Sequence, residues 1–203
     1  MIFILDTETT SLRPGEICQL SYILAGNGAP IAKNFYFSVH EMDPSAAMIH
    51  GLTKEFLASA SGGRYFKDFA GEILRDYMAC THVAAHNARF DIGFLQAECE
   101  RIGRRLPTKA VFDTMRAYTP VCKMPRKHNT GYKFPKLCEL TDFLEYSDED
   151  ILAETRKLFG ADCGFHDARF DTTAVYLALK RAKEYDDINA EDLNDQDLND
   201  IVY

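Results

Sequence analysis

Three strand-like segments stand in a row at the start of the chain, and helical periodicity begins only after them. "IFILD" is a short apolar run from residue 2 that ends on an acid. "EICQLSYILAG" and "IAKNFYFSV" alternate apolar and polar residues, with "GNGAP" as the turn between them. That order predicts an antiparallel meander. "DPSAAMIHGLTKEFLAS" then reads as one or two short helices, and "FKDFAGEILRDYMA" as a longer one. "HVAAHN" and "AVFDTM" read as short strands on either side of the helix "ARFDIGFLQAECERIG". "KLCELTDFLE", "SDEDILAETRKLFG" and "HDARFDTTAVYLALKRAKEY" close the chain as helices, the second with Ser147 and Asp150 spaced as a capping box. Five strands in this order imply an α/β fold with a mixed sheet.

No apolar run approaches the roughly 18 residues of a membrane-spanning helix. "MIFILDTETT" lacks the basic start, long apolar segment and small-residue cleavage site of a secretory signal. Cys18, Cys80, Cys99, Cys122, Cys138 and Cys163 form no C-x-x-C pair and read as buried, reduced thiols. A cytoplasmic location is the expectation. The net charge of −8 is local: residues 184–203 hold eight acids and no Lys or Arg. Without them the chain is neutral, so the acidic balance does not argue against a nucleic-acid substrate. The expected organisation is one domain over 1–183 and an acidic tail over 184–203. The tail carries the echo "DLNDQDLNDI" and reads as disordered or held by a partner.

Asp6 and Glu8 sit two apart at the end of the first strand. Alternate strand residues share a face, with Cα atoms roughly 6.5–7 Å apart, so both carboxylates can reach one ion. A polar strand end turning into a loop is the plainer alternative. Two further acids come from a pair of near-identical hexapeptides, "HNARFD" at 86–91 and "HDARFD" at 166–171. Each ends on an Asp entering a helix, Asp91 and Asp171. Simple charge complementarity at a helix start, about 0.3–1 kcal/mol, accounts for either one alone. The flanks "THVAA" and "ADCGF" do not match, which argues against a duplicated unit.

The combination is more demanding than its parts. Two bare carboxylates about 5 Å apart repel by roughly 3 kcal/mol at an effective dielectric of 20. Four converging acids need cations, and oxygen-only ligands select hard ones, Mg²⁺ or Mn²⁺. Two such ions about 3.5–4 Å apart are the clamp that hydrolyses phosphodiesters.

At these residues the chain resembles the DnaQ-like 3′–5′ exonucleases of the DEDDh type. "FILDTETT" is similar to their first motif, "AHNARFDIGFL" to the second and "HDARFDTTAVYLAL" to the third, in which a His precedes the last Asp by five. "HGLT" at 50–53 and "KFPKL" at 133–137 are secondary echoes. The likeness spans about residues 1–183. It departs at Ser11, where the family often has Gly. The resemblance implies a ribonuclease H-like three-layer fold with a five-stranded sheet flanked by helices. It implies two divalent cations, Mg or Mn, held by Asp6, Glu8, Asp91 and Asp171, with Asp6 bridging both. It makes His166 the general base. An imidazole suits that role because its unperturbed pKa near 6.5 leaves it mostly neutral at pH 7, so activity is expected to rise between about pH 6 and 8. His86, at the end of a buried strand, reads as structural, and Asn87 as a residue able to bond backbone near the site.

On the substrate side, the resemblance implies that the backbone of Thr7–Thr9 meets a 3′-hydroxyl. Leu12 is read either as a wedge against the terminal base or as core. Lys123, Arg126, Lys127, Lys133 and Lys136 interleave with Tyr132 and Phe134, a pattern that suits an incoming strand or a solvated loop. The expected substrate is a single-stranded or frayed 3′ end, DNA favoured, cut to nucleoside 5′-monophosphates. The expected partner is a DNA polymerase or another replication or repair protein, with no membrane. An exoribonuclease of the same family and a non-catalytic nucleic-acid-binding module are the alternatives.

Overall fold

A computed structural model of the chain describes residues 1–182, apart from 13, 14, 27, 129 and 165. The segment 184–203, and with it the expected acidic tail, lies outside the described residues. The meander is present: β1 (Ile2–Thr9), β2 (Ile17–Ala25) and β3 (Ile31–Tyr36) pair antiparallel in sequence. α1 (Pro44–His50) and α2 (Lys54–Ser61) follow, then α3 (Phe66–Ala79). Gly51 separates the first two because it takes a left-handed φ of 73° at the end of α1, where a side chain would be strained.

β4 (His82–Ala85), α4 (Ala88–Arg101) and β5 (Ala110–Asp113) form the parallel half. The spatial order is β3-β2-β1-β4-β5, a mixed five-stranded sheet with β1 at its centre. Two one-turn helices, α5 (Thr114–Ala117) and α6 (Thr119–Cys122), lead into the basic segment. α7 (Leu137–Phe143), α8 (Asp148–Phe159) and α9 (Ala168–Ala182) complete the chain. The Ser147–Asp150 capping box forms: Asp150 N donates to Ser147 Oγ at 3.2 Å, and Ser147 N to Asp150 Oδ2 at 2.9 Å.

Helices cover both faces, giving three layers. Phe3 and Leu5 of β1 pack with Ile73 and Tyr77 of α3 and Phe94 and Leu95 of α4. Ile2 and Ile4 pack on the other face with Val175, Ala178 and Leu179 of α9 and Leu140 of α7. Each such Val, Leu, Ile or Phe side chain contributes about 1.5–3 kcal/mol by leaving water. Double coverage also explains a difference from the pattern read in sequence. β2 alternates in polarity, yet all nine of its residues are buried, because α9 lies over what would otherwise be a wet face.

The cysteines are free. Cys18, Cys80 and Cys99 are buried, but Cys122 and Cys163 are only half-buried and Cys138 is exposed. No helix among the described residues is long and apolar enough to cross a membrane.

Candidate active site

Strand alternation sorts the end of β1 onto two faces. Asp6 and Glu8 continue the row of Ile2 and Ile4, toward α9. Thr7 continues the row of Phe3 and Leu5, toward α4. Asp171 lies in the first turn of α9 and comes down over the two strand acids. Asp6, Glu8 and Asp171 each offer an oxygen within 4.8 Å of the others. Asp91, in the first turn of α4, arrives from the opposite face. Its Oδ1 accepts from Thr7 N at 3.1 Å and from Thr7 Oγ1 at 2.8 Å. The structure therefore brings three of the four predicted acids into one cluster and ties the fourth to the strand residue between two of them.

These acids hold their protons tightly. Burial raises Asp6 well above the usual carboxylate range, and Asp171, Asp91 and Glu8 add repulsion. Burial and the charges of Asp171, Asp167 and Asp91 push Glu8 to about 8. Asp91 is pushed to about 7 by burial, even though the bonds from Thr7 pull the other way. Asp171 rises to about 6 through burial, with the positive charge of His166 opposing and Asp167 adding. Charges crowded this closely are stable at neutral pH only with protons or cations among them. An oxygen-only donor set of this kind fits hard divalent ions.

The two predicted histidines differ. His166 is exposed, stands two residues before α9 with a left-handed φ of 55°, and is close enough to Asp171 to act on its charge. His86 is occupied at both nitrogens, with Thr114 Oγ1 at 3.0 Å from Nδ1 and the Pro135 carbonyl at 3.0 Å from Nε2. A carbonyl only accepts, so Nε2 carries the proton. Burial holds this imidazole below its ordinary pKa, so it stays neutral. His86 is a brace between β4, α5 and the basic segment.

Residues 3–179 match the family model described as "Exonuclease". The chain belongs to the DnaQ-like exonucleases of the DEDDh type. It is 36% identical over 107 residues to the DNA polymerase III subunit epsilon of Rickettsia prowazekii (strain Madrid E), covering 50% of this chain and 45% of that one. It is 27% identical over 140 residues to the epsilon subunit of Buchnera aphidicola subsp. Acyrthosiphon pisum (strain APS), covering 63% and 56%. The chain thus spans about half the length of the curated relatives it matches. Among solved structures, the nuclease domain of 3′hExo, a DEDDh family member bound to rAMP, superposes with a TM-score of 0.63. The match covers 92% of this chain and 94% of that one at 12% identity, and it shows the shared ribonuclease H-like fold.

The residues read as substrate-binding differ in character. Thr7 and Thr9 are buried, with Thr7 on Asp91 and Thr9 Oγ1 donating to Ser11 O at 3.0 Å. Leu12 is 87% exposed, which removes the core alternative. Asn87, left-handed just before α4, makes no side-chain capping bond, and its backbone N–H donates to Asp113 Oδ1 at 3.0 Å. In the basic segment Pro125 and Tyr132 form a bridge, and Lys133 N donates to Met124 O at 2.9 Å. Within it the Lys133 ammonium is paired with Glu139, whereas Lys136, Arg126 and Lys127 are exposed.

Sequence reasoning missed Asp167, whose charge reaches Asp6, Glu8 and Asp171. It also missed Gln19, which is wholly buried beside Glu8. Two signals pointed to them: a Gln and a Ser two apart on the same strand, in step with the two acids of the strand before it, and the one letter by which the hexapeptides differ.

Proposed function

We propose that this chain is a metal-dependent 3′–5′ exonuclease that shortens single-stranded or frayed DNA from its 3′ end to nucleoside 5′-monophosphates. The observation that carries the reading is the convergence of Asp6, Glu8 and Asp171 within 4.8 Å, with His166 alongside. Asp6, Glu8, Asp171 and Asp91 are the residues that would hold two divalent ions, Mg or Mn. Such ions supply charge neutralisation at the scissile phosphate and a water acidic enough to attack it. The chain's own residues do the rest. An imidazole nitrogen of His166 takes the proton of the attacking water, and its exposed position leaves it open to solvent and substrate. The partly buried acids of the cluster fix the direction from which phosphate is approached. Thr7 holds Asp91 at a constant distance from both strand acids. Exposed Leu12, Tyr132 and Phe134 offer apolar surface to bases, and Arg126, Lys127 and Lys136 offer charge to the backbone of the incoming strand. The relatives' description as DNA polymerase III epsilon subunits supports DNA as substrate and a polymerase as partner.

The test is incubation of a 3′-end-labelled single strand with the protein and Mg²⁺. Labelled 5′-mononucleotide should appear, and should stop appearing with EDTA or in Asp6→Asn. No release, or release indifferent to EDTA, overturns the reading. A matched RNA oligomer in the same assay decides the sugar.

A further inference from the structure

A buried polar assembly lies against the acid cluster and is separate from the strand and helix ladders. On β2, Ser21 stands in register with Asp6 and Gln19 with Glu8, and both are wholly buried. Gln19 Nε2 donates to Asn34 Oδ1 at 2.8 Å and to Asp167 Oδ1 at 2.9 Å, while its Oε1 accepts from Ala168 N at 3.4 Å. Asp167 also accepts at Oδ1 from Arg169 N at 3.0 Å and Nε at 2.9 Å, and at Oδ2 from an Arg169 terminal nitrogen at 2.6 Å. Burial pushes the Asp167 carboxyl up, but the bonds from Arg169 and Gln19 outweigh it and hold it below the usual range.

A fifth negative charge here is electrostatically unfavourable, since it adds to the repulsion on Asp6, Glu8 and Asp171. A half-buried ion pair of this kind also contributes little net stability. Its geometry is more informative. Asp167 follows His166 directly, at a left-handed turn, and its carbonyl accepts from Phe170 N at 2.8 Å and Asp171 N at 3.3 Å. The residue between the general base and the last acid is therefore held to β2 by its side chain and to α9 by its main chain. A carboxylate has about four lone-pair sites, and with the Tyr36 hydroxyl 3.5 Å from Oδ2 five donors already converge on them.

We propose that Asp167, gripped by Gln19 and Arg169, is a positioning residue that sets the His166 imidazole over the acid cluster without itself binding a cation. This rests on the exonuclease reading above. A displacement of the base by about 1 Å costs up to about 100-fold in rate.

The experiment uses the full chain, with steady-state rates on a labelled single strand and calorimetric titration of Mn²⁺. Asp167→Ala should lower kcat about 10- to 100-fold, with KM and the Mn²⁺ Kd within about threefold of the parent. Gln19→Glu is nearly isosteric but presents an acceptor to Asp167, and should reproduce the fall. Combining it with Asp167→Asn exchanges donor and acceptor, and should recover kcat above that of Gln19→Glu alone. The exchange pair also decides the matter if Asp167→Ala does not fold. The proposal is overturned by unchanged kcat in both single variants, by no recovery in the pair, or by a Mn²⁺ Kd raised about tenfold or more, which would make Asp167 a ligand. If the parent binds Mn²⁺ but releases no nucleotide, the exonuclease reading fails and this proposal falls with it. An active parent with indifferent variants sinks the positioning role alone.

Discussion

The two hexapeptides share five letters of six and start their helices alike. In each, Ala is the first helical residue, the Phe N–H returns to the carbonyl of the second residue at 2.8 Å, and Asp stands fourth in the helix. Everything else diverges. In "HNARFD" the left-handed residue is the second, Asn87; in "HDARFD" it is the first, His166. Arg89 is exposed, whereas Arg169 is half-buried on Asp167. Asn87 offers no charge to hold an arginine, and Asp167 does. The helices then approach β1 from opposite faces, so Asp91 reaches Thr7 while Asp171 meets Asp6 and Glu8. Like sequence specified like helix starts, and long-range packing assigned the roles.

The sharpest way to break this contrast is to remove each histidine. His166→Ala should lower kcat by about 10²–10⁴, with Mn²⁺ affinity retained. His86→Ala should leave kcat within about tenfold but cost about 1–3 kcal/mol of stability, because it strands two buried partners. Initial rates and urea midpoints on both variants check this, and exchanged outcomes would end the distinction.

A smaller effect concerns pH. The folded pKa values of Glu8, Asp91 and Asp171 lie at about 8, 7 and 6, above ordinary values of 4.5 for Glu and 3.8 for Asp. The folded state binds these protons more tightly than the unfolded chain. Their contribution to stability is thus full below about pH 4 and is lost as pH rises through 6 to 8. In EDTA the melting temperature should fall from about pH 5.5 to about pH 8.5, and Mg²⁺ should restore more at the higher pH. Asp171→Asn, inside the cluster, should reduce that Mg²⁺ gain more than Asp91→Asn, which is tethered to Thr7. Equal reductions would place the two acids on the same footing. The smallest effect is at the first helix start, where Asn87→Ala should cost about 1 kcal/mol and Asn87→Gly almost none, because only the former strains the left-handed backbone. Chemical denaturation measures both.

The acids were legible in the sequence because their placement is local. A spacing of two on a strand and a position in a first helical turn are short-range facts. The tether of Asp91 was not, since Thr7 and Asp91 are 84 residues apart and meet only once α4 and α9 have taken opposite faces. Gln19 and Ser21 were read as the polar phase of an alternating strand, and only the covering helix turns them into buried groups that need partners. The bases of segment 123–136 were visible as charges, but the pairing of Lys133 with Glu139 was not. The meander, the mixed sheet and the order of the longer helices followed from periodicity and turn chemistry, which neighbours along the chain decide, whereas the one-turn helices α5 and α6 are too short to carry a periodic signal.

Because consecutive β1 side chains serve opposite layers, the strand's reading frame is part of the catalytic design. One inserted or deleted residue upstream of Asp6 would swing every later side chain across the sheet, putting Thr7 where cations are expected and the acids beneath α4. Length changes in this family member should therefore be tolerated in exposed turns long before they are tolerated in its first nine residues.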